Sequence, residues 1–306
     1  MLSTGSRQMI DDFVKWLPWA EVIFAGPACV ICAFLFIILI FIPLPSGCKC
    51  FVYLNTAALL SIAVCQVLIA EWTSHNNRQI GPTELFYFPL IFAHQFVYFM
   101  STASLFYLTC ERLYLCYHPT FYEKHKLKLV PCLIGAVFLE TLLVIPLTVM
   151  LQYEGTQHIA TLIVSLLDLT TLTLLLTCYR QSQHYYRTQF AKVNLNVRYQ
   201  VKEVMELTRV LIPIGCVSLL LKLTVELLAL FVFTNAAYIG TSVLVLRFVA
   251  TTMSYAEPIL LIVRHRSISR KVVALITLGR VHPAVEPMSI STEDVTRSYF
   301  TALRRD

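Results

Sequence analysis

Charged side chains are scarce in this sequence. Only 14% of the 306 residues are Asp, Glu, Lys or Arg, whereas 57% are hydrophobic and the mean hydropathy is +0.69. A soluble globular domain carries about 25% charged residues, so this chain has too few charges to cover a water-facing surface. A helix needs roughly 20 predominantly apolar residues to cross the hydrocarbon core of a bilayer. The shortage of charge therefore predicts a membrane protein.

Other signals are missing too. The first twenty residues contain no apolar run and no small-residue cleavage site, so we expect no cleavable signal peptide. All ten cysteines fall in or beside apolar segments, which leaves none for a disulfide between outer loops. There is no N-x-[ST] sequon and no H-E-x-x-H motif. We expect no enzymatic activity, no metal and no cofactor.

Apolar runs broken by charges, Pro and Asn divide the chain into seven segments. In lipid, a helix satisfies its backbone amides within one segment, and stretches such as 162–177 do not alternate as barrel strands do. The sequence predicts an all-α membrane protein, with a seven-helix bundle over 1–263 and a cytoplasmic tail over 264–306. The predicted helices span about 21–42, 51–70, 85–116, 128–151, 158–180, 209–234 and 237–263.

The distribution of Lys and Arg predicts the orientation of this bundle. With the N-terminus outside, nineteen of the 24 basic residues fall in or beside cytoplasmic loops and the tail, and three fall outside. Basic residues accumulate on the cytoplasmic side of membrane proteins. The net charge of +6 therefore reports membrane topology, and we expect no nucleic-acid partner.

An acidic residue and an arginine are adjacent at the end of the third segment. In Glu111-Arg112 the carboxylate can neutralise the guanidinium in a resting state, and its release can turn Arg112 toward an incoming partner. The alternative is that Arg112 only obeys the positive-inside rule. Pro119 follows Glu111 by eight residues, which is the spacing of the loop proline in rhodopsin-like receptors, and this favours the switch.

Three stretches in the same order carry a family resemblance. Glu111-Arg112 is followed after nine residues by Tyr122-Glu123, and Glu257-Pro258 precedes a basic exit at 264–266. The run before the sixth helix reads Leu195, Asn196, Val197, Arg198, Tyr199, Gln200, Val201, Lys202, Glu203. The chain resembles the nematode Sra superfamily of serpentine chemoreceptors. It departs from the family pattern at Leu115, Cys116 and Val204.

The resemblance implies a chemosensory G-protein-coupled receptor in the plasma membrane, and in a sensory cilium. Its partners would be a small-molecule ligand within the outer half of the bundle and a heterotrimeric G protein. The residues that it implies for coupling and switching are Glu111, Arg112, Pro119, Tyr122, Glu123, Arg198, Tyr199, Gln200 and Glu203. Rhodopsin-like receptors differ, because this sequence lacks their Trp-x-Pro and Asn-Pro-x-x-Tyr motifs.

Several ionisable residues lie within the predicted spans, where each costs roughly 2.5–3.5 kcal/mol on insertion scales and by default suggests function. Counting about 1.5 Å per residue from the outer helix ends, five of them form one layer. They are Glu140, Asp168, Lys222, Glu226 and Arg247. Glu257 lies nearer the cytoplasm.

The layer has two interpretations. In one, the charges pair internally, Lys222 with Glu226 one turn away and Arg247 with an acid across the bundle. In the other, part of the layer lines a polar ligand pocket. The residues assigned to structure are Glu140, Lys222, Glu257 and Pro258. The candidate ligand contacts are His94, Gln95, Gln66, Asp168, Glu226 and Arg247.

The segments beyond the membrane are also interpretable. Residues 181–208 are compatible with helix and predict inward extensions of the fifth and sixth helices. An apolar stripe with Arg270 and Lys271 beside it predicts an amphipathic helix at about 267–278 on the inner leaflet. Ser and Thr residues in the last part of the tail offer phosphorylation sites for an arrestin-like partner, and a plain disordered tail is the alternative.

A multi-pass transporter or channel is the main alternative class, because buried charges also mark ion paths. Against it, the seven segments do not divide into inverted repeats, and no paired Gly- or Pro-broken segments occur. A retinal-based pump is excluded because the seventh segment has no Lys to hold the chromophore.

Overall fold

The computed structural model describes residues 4–41, 46–75, 87–118, 129–152, 156–189, 195–234 and 239–276, and these residues form helices and no strand. The predicted all-α class is confirmed for them. The helices are α1 Thr4–Ile40, α2 Ser46–His75, α3 Tyr87–Tyr117, α4 Leu129–Gln152, α5 Gln157–Gln189, α6 Leu195–Thr234, α7 Ile239–Arg264 and α8 Arg266–Ile276.

The helices are longer than the apolar runs that predicted them. Helix α1 begins at Thr4 instead of near residue 21, and α2 begins at Ser46 instead of near residue 51. Hydropathy finds only the part of a helix that lipid can cover, whereas the backbone hydrogen bonds continue into polar sequence. The predicted extensions of the fifth and sixth helices are confirmed, because α5 continues to Gln189 and α6 begins at Leu195.

Five of the described helices are long and apolar enough to cross a membrane. The spans are Trp19–Ile40, Cys48–Trp72, Leu129–Leu151, Ile159–Tyr185 and Val201–Thr224. They belong to α1, α2, α4, α5 and α6, and they identify a multi-pass, bilayer-associated architecture. The central part of α3 contains His94, Gln95 and several hydroxyl residues, which lower its hydropathy.

Many exposed side chains are apolar and several ionisable side chains are buried, which is the reverse of a water-soluble protein. One face of α4 presents large apolar side chains at helical spacing, and each is at least one-third exposed. They are Val130, Ile134, Phe138, Leu142, Ile145 and Val149. Charged side chains lie inside instead, since Arg112 and Glu140 are 0% exposed and Lys222 is 2% exposed. Lipid covers such an apolar surface at no cost, so the exposure pattern agrees with the apolar spans.

Helix α3 lies at the centre of the bundle and packs against α2, α4, α5 and α6. Helix α7 packs against α1, α2, α6 and α8. The largest apolar cluster joins Leu39 of α1, Cys48 of α2, Leu108 of α3, Leu211 of α6 and Leu261 of α7. This cluster lies at the end of the bundle where α1, α3 and α7 finish and α2 and α6 begin, which we call the Arg112 end.

Helix α8 is the predicted short amphipathic helix, displaced by one residue at its start and ending at Ile276. Its apolar stripe packs on the bundle, because Ile268 and Val272 are buried in the same cluster as Leu108 and Leu261. Arg270 and Lys271 are exposed. The stripe therefore attaches α8 to the helices at the Arg112 end. That α8 also lies on the inner leaflet stays a prediction.

Close packing of α5 on α6 depends on Gly215. A Cβ atom at this position would lie 3.3 Å from Cδ1 of Leu175 and 3.8 Å from Cδ1 of Leu172. Gly215→Leu should therefore lower stability by about 1–3 kcal/mol, because extra methylenes force apart a filled core. Thermal unfolding of the purified protein in detergent measures the change.

The matched control is Gly135→Leu on exposed α4, where a Cβ atom would meet nothing within 4 Å. Its unfolding midpoint should stay near that of the wild type. Equal midpoints for the two variants would contradict the α5–α6 packing.

Candidate functional site

A buried ion pair joins α5 and α6 in the middle of the bundle. The Nζ atom of Lys222 lies 2.8 Å from Oδ2 and 2.9 Å from Oδ1 of Asp168, and both side chains are only 2% exposed. Lys222 also donates to Oγ1 of Thr102 at 2.5 Å and lies 5.6 Å from the centre of the Tyr98 ring. Lys222 thus connects α5 and α6 to α3, with the ring face adding a cation–π contact.

A second polar group adjoins the ion pair through α3. Ser101, next to Thr102, donates to Oδ1 of Asn55 at 2.8 Å, and Nδ2 of Asn55 donates to Oε2 of Glu257 at 3.1 Å. Glu257 is 2% exposed and lies on α7 beside the buried Pro258. The two groups together, which we call the polar core, connect α2, α3, α5, α6 and α7.

The sequence positions these groups by simple helical spacing. Hydroxyl side chains at 101 and 102 point to different neighbours because consecutive residues on a helix are separated by about 100°. Thr102 therefore meets Lys222, while Ser101 meets Asn55. Each polar atom that enters a low-dielectric interior needs such a partner, because an unpaired buried charge costs several kcal/mol.

The other candidate ligand contacts lie nearer the opposite end of α3. Nε2 of Gln66 on α2 lies 2.8 Å from Nε2 of His94 on α3, and Gln66 is 1% exposed. Gln95 is half-buried beside His94 in sequence. The structure thus brings the candidate ligand contacts Gln66 and His94 together, whereas Asp168 lies with Lys222 in the polar core.

At the Arg112 end, the Arg112 side chain is paired with the neighbouring Glu111. Its Nε atom lies 2.6 Å from Oε2 of Glu111, and its Nη2 atom donates to Oε1 of the same carboxylate at 3.0 Å. The guanidinium is 0% exposed, and the Glu111 side chain is 16% exposed. Glu203 of α6 is half-buried and close enough to attract Arg112 electrostatically. Two parallel hydrogen bonds make this the strong, bidentate form of an Arg–carboxylate contact.

A small cluster of α3, α5 and α6 lies beside Arg112. Leu115 and Cys116 of α3 pack with Cys178 of α5 and Val204 of α6, and all four are buried. Cys116, Cys178 and the fully buried Cys48 of α2 are close enough to Arg112 to interact with it electrostatically. Movement of α5 or α6 away from α3 would therefore open the surroundings of Arg112.

Some of the predicted residues lie outside the described part of the chain. Pro119, Tyr122 and Glu123 belong to residues that the structure does not describe. Five others lie within helices, and their side chains are not described. These are Arg198, Tyr199 and Gln200 of α6, Glu226 of α6 and Arg247 of α7. Glu140 is described, and it is completely buried on α4.

The sequence prediction missed the polar partners of Lys222 and Glu257. Lys222 contacts Asp168 across the helix interface, a partner that the sequence did not suggest for it, and its predicted pairing with Glu226 lies outside the described side chains. Asn55 and Thr102 were not selected, although a polar residue within an apolar run is a signal for interhelical hydrogen bonding. Neighbouring helices determine such contacts, and spacing along one helix does not reveal them.

Comparison with known proteins gives no match, either to a family model or to a curated protein. Within the described residues, no group of three His, Cys, Asp or Glu side chains is placed to hold a metal ion. The arrangement has two features that could serve a function. One is the polar core, which links five helices, and the other is the buried Glu111–Arg112 pair at the Arg112 end.

The ion pair makes a stability prediction. Lys222→Met should destabilise the protein by about 3–5 kcal/mol, because it leaves the Asp168 carboxylate buried without its cation. The double variant Lys222→Met, Asp168→Val should recover most of this loss, because apolar residues replace both charges. Thermal unfolding midpoints in detergent compare the three proteins, with Thr224→Val at an exposed position of α6 as the control. A double variant no more stable than Lys222→Met would contradict the pairing.

Proposed function

We propose that this chain is a seven-helix chemosensory receptor that signals to a heterotrimeric G protein. The observation that carries the proposal is the bidentate clamp of Glu111 on a completely buried Arg112. Burial removes the guanidinium from water, which costs solvation free energy, and keeps it away from any partner outside the bundle. A buried Arg112 fits a switch in which a partner binds the conformation that exposes the guanidinium and so shifts the equilibrium toward it.

The lengths of α5 and α6 support a partner site at the Arg112 end. Helix α6 has 40 residues and is therefore about 60 Å long, against about 30 Å for the hydrocarbon core. Helix α5 has 33 residues and is also longer than one crossing needs. At the end where Arg112 lies, α5 continues past its apolar span to Gln189 and α6 begins before its own at Leu195, and these parts would frame a cavity for a G protein.

The basic residues support the orientation of this proposal. With the N-terminus outside, nineteen of the 24 Lys and Arg residues lie on the same side as Arg112. The partner would then be cytoplasmic, and the resemblance to the Sra superfamily fits a receptor of the plasma membrane or sensory cilium. The ligand would be a small molecule that binds near the Gln66–His94 pair, above the polar core.

A transporter is the second candidate function, and the polar core favours it. Lys222, Asp168 and Glu257 are the kind of buried charges that bind ions or protons in transport proteins. The two functions differ in what Arg112 does, because a transporter does not need an arginine that opens toward a partner. Guanine-nucleotide exchange on a G protein therefore separates them.

The test uses purified protein in lipid nanodiscs and a panel of G-protein classes. Glu111→Gln should raise nucleotide exchange without ligand by about tenfold, because it removes hydrogen bonds to a charged group that contribute about 1.5–3 kcal/mol to the closed state. Arg112→Gln should abolish exchange. Glu206→Gln, an exposed carboxylate on α6, is the matched control and should behave as the wild type.

Either of two results would contradict the receptor proposal. If no G-protein class responds to the Glu111→Gln protein, or if Arg112→Gln exchanges nucleotide as the wild type does, the receptor proposal fails. Exchange that rises equally in Glu206→Gln would show that any lost carboxylate at this end has the same effect, and would also contradict the clamp.

A further inference from the structure

Two cysteines from different helices are in contact beside Arg112. The Sγ atoms of Cys116 on α3 and Cys178 on α5 lie 3.1 Å apart, and both thiols are free. The next polar atoms are hydroxyls: Ser182 Oγ lies 3.0 Å from the first sulfur, and Thr208 Oγ1 lies 3.5 Å from the second. The pair therefore places two thiols from different helices within contact distance.

We propose that Cys116 and Cys178 form a reversible disulfide that a hydroperoxide closes. A disulfide bond is about 2.05 Å long, so the two sulfurs must approach by about 1 Å. They already face each other across the α3–α5 interface. Both thiols are buried, with Cys116 8% exposed and Cys178 0% exposed.

The crosslink forms in two chemical steps. The thiolate of one cysteine attacks one peroxide oxygen, the O–O bond breaks, and a sulfenic acid forms with release of an alcohol or water. The thiol of the other cysteine then attacks that sulfur, the S–S bond forms, and the sulfenic oxygen leaves as water.

Atoms and electrons balance in this reaction. Two thiols and one hydroperoxide give one disulfide, one alcohol and one water, so the thiols are oxidised by two electrons and the peroxide is reduced. Exchange with a small thiol such as glutathione reverses the bond. In a reducing cytosol the free thiols are the resting state, and intracellular disulfides of this kind are usually transient and redox-sensing.

The crosslink has a consequence for the Arg112 end. Cys116 follows Arg112 by one helical turn, and Cys178 is close enough to Arg112 to interact with it electrostatically. A covalent bond between α3 and α5 opposes movement of α5, and of α6 that packs closely on it, away from α3. Oxidation would therefore hold the switch closed, and this part of the inference rests on the proposed receptor function.

The crosslink is tested on the full chain in membranes. Membranes are treated with hydrogen peroxide, free thiols are blocked with N-ethylmaleimide, and the digested protein is analysed by mass spectrometry. We expect a linked peptide pair that contains Cys116 and Cys178 and disappears with dithiothreitol. Cys116→Ser and Cys178→Ser should each abolish it, whereas Cys110→Ser, a half-buried thiol earlier on α3, should leave it intact.

Two results would overturn the crosslink. One is unchanged alkylation of both cysteines after peroxide, and the other is Cys116 found as a sulfinic acid with no linked peptide. Both readouts come from the wild-type chain, so they do not depend on whether a variant folds.

The effect on signalling has its own readout. Peroxide should lower the nucleotide exchange of the Glu111→Gln protein at least several-fold, and Cys178→Ser in the same background should prevent this loss. If the crosslink forms and exchange is unchanged, the regulatory role is wrong. If no linked peptide forms while untreated Glu111→Gln protein drives exchange, this inference fails and the receptor proposal stands.

Discussion

A charge inside a bilayer must have a partner within the protein, and the packing of this bundle depends on that constraint. Lys222 and Asp168 satisfy each other across α5 and α6, and Thr102 brings α3 into the same contact. Asn55 and Ser101 extend the network to Glu257 on α7. Five helices are thereby held in register by directional contacts, which lipid-facing apolar side chains cannot provide because lipid solvates them equally well.

The same constraint applies at the Arg112 end, where a buried guanidinium is paired with a carboxylate. A guanidinium that is completely buried needs the Glu111 carboxylate, and Leu115, Cys178 and Val204 form a buried cluster beside the pair. Separation of the helices would expose both charges to solvent, which offsets part of the lost contact. The closed and open arrangements can then differ by a few kcal/mol, which a ligand or a protein partner can supply.

The sequence predicted the helices well and their mutual contacts poorly. Apolar runs located α4 within a residue at each end, because a span that faces lipid is apolar over its whole length. They missed the early part of α1 and α2, where polar residues continue a helix that hydropathy does not detect. Lys222 was recognised as an intramembrane charge, but its contact with Asp168 was not predicted, because that distance depends on how α5 and α6 pack. The clamp of Glu111 on Arg112 was predictable, since both groups are adjacent in the chain.

We propose that a G protein separates the helices beside Arg112, and a distance between α3 and α6 tests this most directly. Spin labels on noncanonical amino acids at the exposed positions Tyr114 and Arg209 report this distance by pulsed electron paramagnetic resonance. We predict that the Glu111→Gln protein bound to nucleotide-free G protein has a label separation about 2 Å or more longer than the protein alone. An unchanged distance in the presence of bound G protein would contradict the account.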